Sequence, residues 1–296
     1  MGLRIVTNIA SLRASRALGD TLGKVQSSME KLSSGYRINK SADDAAGLAI
    51  SETLRAKVRS SEQAKRNAND GVSLIQTAEG SMNEITNALV RLRELAVQSS
   101  SDTIGNRERT FVNKEYVELV REIDRIAAVT EFNSIKLLGG SDPDHGLEEL
   151  TIHIGPGDGF VPNTDTLSLN LDDIALDAKN ILSLNDGSEI GPESMDDLGD
   201  FQRSQAAEKL TTIDTALNQV AGKRAVLGAM QNRLYSAISN LGVQIENMTT
   251  SKSRIKDVDF AEETAKLTQS QIIGQSGASV LSQANSAPEL VLTLLR

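Results

Sequence analysis

The positions of proline set the first limit on this chain. Its five prolines stand at 143, 156, 162, 192 and 288, so residues 1–142 and 193–287 contain none. An interior proline removes a backbone donor and clashes with the preceding turn, so both stretches are free to form long helices. Apolar spacing uses that freedom. Ile75, Ala78, Met82, Ile85, Leu89, Leu92 and Ala96 follow one another by steps of three and four, as do Val112, Tyr116, Leu119, Ile123 and Ile126. The longest series is Ala206, Leu210, Ile213, Leu217, Val220, Arg224, Leu227, Gln231, Leu234, Ile238, Leu241, Ile245 and Met248, in which only Arg224 and Gln231 are polar. A seven-residue repeat held over about six heptads predicts helices wound round one another with a left-handed hand. At about 1.5 Å per residue, the 45–98 segment alone would be a rod of roughly 80 Å.

Between the two stretches the chemistry changes. Gly139, Gly140, Gly155, Gly157, Gly159 and four of the prolines fall in 139–200, which marks loops and strands. Leu150-Thr-Ile152-His-Ile154 and Leu167-Ser-Leu169-Asn-Leu171 alternate as strands do, and the Gly/Pro-containing loop joining them predicts a hairpin. The rest, 175–200, has weak pattern and many acids, and is expected to be an exposed excursion.

Two turn-like runs interrupt the helical pattern near the ends: RINKSADDAAGLAIS (37–51) and KSRIKDVDFAEE (252–263). Outside them lie amphipathic ends. The first carries Ile5, Ile9, Leu12, Leu18, Leu22, Val25, Met29 and Leu32. The last carries Val258, Ala261, Ala265, Thr268, Ile272, Val280, Leu281 and Ala284 and closes with LVLTLLR. Such narrow stripes gain too little alone to offset about 1–2 kcal/mol of ordering entropy per residue. The ends are therefore expected to fold when they meet partners, with the two interruptions as paired hinges. The fold class that follows is mainly α: a long antiparallel helical coiled-coil bundle with paired N- and C-terminal helices and a small β-hairpin region.

Composition narrows the function classes. Eight aromatic residues in 296 are few for a compact enzyme of this size, because aromatics carry much of the buried area. A net charge of −9 gives no footprint for nucleic acid. The absence of cysteine excludes disulfides and thiolate metal sites. No apolar run approaches the ~20 residues that span a bilayer, and MGLRIVTNIASLRASRALG lacks the apolar region and cleavage site of a secretory signal. Catalytic candidates do not survive inspection. His145 and His153 stand apart, and GDTLGK (19–24) is one residue short of a phosphate loop, with Val25 where Ser or Thr is needed. Asp43 and Asp44 precede a helix, where carboxylates cap and favour the dipole. The sequons at Asn39 and Asn247 read as chance matches. Neither a cofactor nor a metal is expected.

Several long motifs nevertheless carry identity. TNIASLRASRAL, KLSSGYRINKSADDAAGLAIS, ANDGVSLIQTAEGSMNEI and LVRLRELAVQS resemble the N-terminal half of bacterial flagellins. EIDRIAAVTEFNSIKLL resembles the end of that half, and LGAMQNRLYSAISNL, SRIKDVDFAEE and the LLR terminus resemble the C-terminal half, all in order. The resemblance implies a non-enzymatic subunit of a helical filament. In that reading 1–42 with 256–296 form an inner tube, 43–138 with 201–255 a coiled-coil rod, and 139–200 a hairpin and short excursion in place of a large outer domain. It implies inner-tube contacts at Ile5, Ile9, Leu12, Leu18, Leu22, Val25, Leu290, Leu292, Leu294 and Leu295, and a spoke hinge ordered by Arg37, Asp43, Asp44, Arg254 and Asp257. The implied partners are further copies of the chain, filament cap and hook-junction proteins, and an export chaperone and type III export apparatus. Secretion by that route would explain the missing signal peptide. An animal Toll-like receptor would read a patch at Arg91, Leu95 and Glu115. Val90 stands where glutamine is usual and Leu119 where arginine is, which points to weakened recognition. Other readings are a hook–filament junction protein of the same family, a coiled-coil adaptor, or an enzyme in 139–200. The adaptor leaves the motif-dense ends unexplained, and the enzyme has no nucleophile motif.

Overall fold

The computed structural model describes residues 8–139, 149–157, 165–176, 190 and 203–294, with side chains in the last stretch described at 206 and 208–286. Six helices and four short strands follow in the order α1 (Ile9–Ser34), α2 (Ala45–Ser99), α3 (Asn106–Val129), β1 (Glu131–Phe132), β2 (Ile135–Lys136), β3 (Glu149–His153), β4 (Thr166–Asn170), α4 (Leu171–Ile174), α5 (Arg203–Lys256) and α6 (Phe260–Leu294). The chain divides into two compact units, Met1–Val58 with Glu246–Arg296, and Arg59–Ile245; α2 and α5 contribute to both. Among the described residues, no helix is long and apolar enough to cross a membrane.

The 59–245 unit is built on the heptad seams. Ile75, Ala78, Met82, Ile85, Leu89, Leu92 and Ala96 are all fully buried, and they share one core with Tyr116 and Ile123 of α3 and Ile213, Val220, Leu227 and Leu234 of α5. Ion pairs give the directions. Arg93 meets Asp214 at 2.8 Å and Arg224 meets Glu79 at 3.7 Å, so α2 and α5 run antiparallel. Arg109 meets the Ser99 carbonyl and Arg91 meets Glu115 at 2.7 Å, so α3 is antiparallel to α2 as well. The turn between α2 and α3 is held by buried Arg109, whose guanidinium donates to the Ser99 and Ser101 carbonyls and to the Asn106 side chain. A cation on the last carbonyls of a helix satisfies orphaned acceptors and suits the dipole.

The expected hairpin is present, one residue earlier than the alternation suggests. In the antiparallel pair β3–β4, Leu150 faces Leu169 and Ile152 faces Leu167. Leu171 belongs instead to α4, because the Asn170 side chain caps that turn by accepting from the Asp172 N–H. A second hairpin, β1–β2, turns at Asn133 and Ser134, both with positive φ (51° and 65°). Two consecutive left-handed residues are what a two-residue hairpin turn requires, and Asn is among the side chains that tolerate it best. The exposed excursion expected over 175–200 is corrected at the residues described there: Ala175, Leu176 and Ile190 are buried. Ile190 donates its N–H to Asn113 Oδ1 at 3.0 Å, and its carbonyl accepts from the Ser99 hydroxyl.

Candidate functional site

In the unit of residues 1–58 and 246–296, α1 and α6 pack against each other antiparallel. The residues turned inward follow a 3–4 repeat on both helices. On α1 they are Ser11, Ala14, Leu18, Thr21, Val25, Ser28 and Leu32; on α6 they are Glu263, Leu267, Ser270, Gly274, Gly277, Leu281 and Ala284. Most are small or polar. The seam therefore brings two helices together while burying little apolar area. Leu18, Val25, Leu32, Leu267 and Leu281 are its larger apolar members, while others point the other way: Ile9, Leu12, Leu22 and Met29 of α1 are 48% to 59% exposed, and Phe260, Ile272, Ile273 and Val280 of α6 are 50% to 59% exposed. Ala261, Thr264, Ala265, Thr268, Gln269, Ile272 and Ile273 line an open, mostly apolar groove of about 590 Å³ on α6.

Of the sequence-derived inner-tube residues, Ile9, Leu12 and Leu22 thus face outward, whereas Leu18 and Val25 face α6. Ile5 and Leu295 lie outside the described residues, and Leu290, Leu292 and Leu294 stand where only the backbone of α6 is described. Of the apolar stripe that the sequence shows in this segment, Ala261, Ala265, Thr268, Ile272 and Val280 are exposed, whereas Leu281 and Ala284 lie on the seam with α1, whose other α6 residues are mostly small or polar.

The two turn-like runs meet. Gly35 ends α1 in the left-handed conformation (φ 75°), which glycine adopts without a Cβ clash. Tyr36 then bridges Asp257, Arg37 N–H donates to the Lys256 carbonyl at 2.7 Å, and Val258 N–H donates to the Gly35 carbonyl at 3.0 Å. The Arg37 guanidinium adds a bond to the Ile255 carbonyl at 2.7 Å, so this loop caps the C-terminus of α5.

Of the two neighbouring acids, Asp44 caps α2 as expected, whereas Asp43 closes the loop before it. Asp43 accepts from the Asn39 and Lys40 N–H groups at 3.0 and 2.9 Å, and these backbone bonds hold its carboxyl below the usual range. Asp44 accepts from Gly47 N–H at 2.9 Å, within the first turn of α2. A Cβ on Gly47 would fall 2.4 Å from Asp44 Oδ2 and 2.8 Å from Ile38 Cδ1, so the cap depends on glycine there. Asp257 takes part through its backbone, and the Arg254 side chain is exposed.

Two junction residues escaped the sequence reading. Lys256 reaches Glu52 at 3.2 Å and sits 5.0 Å from the Tyr36 ring centroid. Asp259 caps α6 by accepting from the Ala261 and Glu262 N–H groups, and the DFAE run, an acid followed three residues on by Glu262, is a readable cap signal.

The patch at Arg91, Leu95 and Glu115 is in the other unit. Arg91 bridges Glu115 and Glu94, and its guanidinium is held protonated by Glu115 first and Glu94 second. Leu95 is 1% exposed and belongs to the core, so the surface presented there is Arg91, Glu94, Glu115 and exposed Val90. GDTLGK lies inside α1 as ordinary helix, and His153 sits in β3 with its carbonyl accepting from Asn67. His145 lies outside the described residues. Among the described residues, no three acidic or histidine side chains converge on a metal position.

Comparison with known proteins matches two family models. The bacterial flagellin N-terminal helical region matches residues 5–142, and the bacterial flagellin C-terminal helical region matches residues 210–295. The chain is 42% identical to a flagellin of Halalkalibacterium halodurans over 291 residues, 98% of each chain. It is 40% identical to a flagellin of Bacillus subtilis, over 99% of this chain and 100% of the relative. The crystal structure of Bacillus cereus flagellin is 29% identical, with a TM-score of 0.46 over 63% of this chain and 94% of that one.

Proposed function

Because this chain belongs to the bacterial flagellin family, we infer that its outward terminal faces are the contacts through which it polymerises. It is a structural subunit that self-assembles into the helical flagellar filament used for motility, and the family is a structural one, not an enzyme family. The observation that carries the assignment of the contacts is the inversion of α1 and α6. Their mutual seam is mostly small and polar, while Ile9, Leu12, Leu22, Met29, Phe260, Ile272, Ile273 and Val280 remain half exposed. Fully burying such a side chain is worth about 1.5–3 kcal/mol, so the half still wet is worth roughly 1 kcal/mol each. Contacts of this kind repeat from copy to copy without closing, as in a helical polymer.

In this reading 1–42 with 256–296 form the inner tube, and Ile5, Leu290, Leu292, Leu294 and Leu295 join the outward residues there. Residues 43–138 with 201–255 form the surrounding coiled-coil layer, and 139–200 stands in place of a large outer domain. Arg37, Asp43, Asp44 and Asp257, with Lys256 and Asp259, order the junction. The extracellular flagellum is the place of action. Export through a type III apparatus with a chaperone, docking at cap and hook-junction proteins, and recognition of the Arg91–Glu115 surface by a Toll-like receptor belong to the same reading.

The test compares the full chain with one lacking 1–42 and 256–296, each mixed with filament seeds in ammonium sulfate, which strengthens apolar burial. Long filaments from the full chain and none from the helical, soluble truncation are expected. Discrete soluble species from both would overturn the reading.

A further inference from the structure

α6 runs to Leu294 and therefore passes through Pro288. Proline has no N–H, so the carbonyl four residues earlier, that of Ala284, loses its helical partner. That carbonyl is not left bare. The Asn8 side-chain amide donates to it at 2.7 Å across the α1–α6 seam. The same side chain's oxygen accepts from Ser11 N–H at 3.0 Å and caps the start of α1. One residue thus closes two helix defects, the orphaned donors of α1 and the orphaned acceptor of α6. Ser11 Oγ, bonded to Asn285 Oδ1 at 2.6 Å, fixes the alignment beside it.

We infer that Asn8 is a positioning residue that makes the helix beyond Pro288 conditional on the docking of α1. In an unpaired C-terminal segment, Pro288 breaks the i to i−4 ladder and a helix gains little by continuing. Once α1 lies alongside, the Asn8 amide replaces the missing N–H, and the last turn of α6, to Leu294, is held in line with the rest of the helix. Proline and asparagine together therefore order the last turns only in the paired state. This rests on the filament reading for its purpose, but the bond and its test stand apart from it.

The test is a double-mutant cycle on the full chain. Asn8→Asp keeps the oxygen that caps α1 and replaces the donor by a second oxygen facing the Ala284 carbonyl. Pro288→Ala restores a backbone N–H at that carbonyl. Amide exchange of residues 289–294 is read in whichever state protects them, polymer or free chain, and the critical concentration for assembly is read alongside.

Asn8→Asp is expected to accelerate exchange and raise the critical concentration roughly five- to twenty-fold, the effect of an unsatisfied carbonyl. In the Pro288→Ala background the same change should alter either readout by less than about two-fold, because the acceptor no longer needs Asn8. Equal effects in both backgrounds, or no effect in the native one, would overturn the inference. Failure of the unsubstituted chain to polymerise would count against the filament reading alone, with the cycle still decided by exchange.

Discussion

Gly274 and Gly277 lie in the middle of α6, turned toward α1, where a small residue would ordinarily be explained by close helix approach. The geometry says otherwise. A Cβ on Gly274 would lie 3.8 Å from Thr21 Cγ2, and one on Gly277 would lie 3.5 Å from Leu18 Cδ1, both ordinary van der Waals distances. Alanine therefore fits at either position, and its advantage in a helix interior is about 0.8–1 kcal/mol per site. If α6 is helical in the filament and unfolded in the free chain, all of that gain favours the filament. Gly274→Ala and Gly277→Ala should each lower the critical concentration about five-fold, and together roughly twenty- to thirty-fold. The assay is pelleting over a concentration series, with circular dichroism of the soluble chain beside it. A higher critical concentration would refute the reasoning, since neighbouring copies would then need those glycines bare. An unchanged critical concentration with a more helical free chain would refute the premise that α6 folds on assembly.

Other consequences are testable in the same way. Leu12→Ala combined with Leu22→Ala removes two outward contacts worth roughly 1 kcal/mol each, so the critical concentration should rise at least about ten-fold with the free chain's stability unchanged. Tyr116 is 1% exposed, and among the described residues its hydroxyl has no hydrogen-bond partner, so Tyr116→Phe should stabilise the free chain by about 1 kcal/mol at neutral pH. Burial also pushes the Tyr116 phenol up to about 12 from 10.0. A raised folded value means stability fully present below pH 10 and lost as pH climbs toward 12, by roughly 2–3 kcal/mol in all, and Tyr116→Phe should remove that part of the alkaline slope in denaturant titrations. The Asp43 carboxyl is shifted the other way, so its contribution is present above the ordinary aspartate range and lost as pH falls through its lowered value. Filaments of Asp43→Asn should show a shallower loss of thermal stability on acidification than the native chain.

How much could be read from sequence depended on which partner each apolar stripe serves. In α2 the stripe from Ile75 to Ala96 packs within the chain, so counting apolar residues found the core directly. In α1 and α6 the same count merged two faces, because Leu18, Val25, Leu32 and Leu281 serve the intramolecular seam while Ile9, Leu12, Leu22, Met29, Ile272 and Val280 point outward. That seam uses Ser11, Ser28, Ser270, Gly274 and Gly277, residue types that hydropathy assigns to the surface. Leu95 was assigned to a surface patch by family likeness, although it stands three residues beyond Leu92 and next to Ala96 on the buried side. Ile190 was invisible because a lone apolar residue among acids has no period. The bond between Asn8 and the Ala284 carbonyl spans 276 positions, and only the missing N–H of Pro288 hinted that some donor was needed. The junction was more legible: two turn-like runs at similar distances from the ends suggested pairing, and the Tyr36–Asp257 bridge joins them.

Since the chain has no cysteine, a single introduced thiol reports burial at any chosen position. Leu12→Cys and Ile272→Cys place it on the outward faces of α1 and α6, and the measurement is the rate of reaction with a small maleimide in free chains and in filaments. Fast labelling of free chains and strong protection of both positions in filaments are what assembly through these faces predicts. Equal labelling in the two states, in filaments seen intact by electron microscopy, would mean that the polymer is held elsewhere.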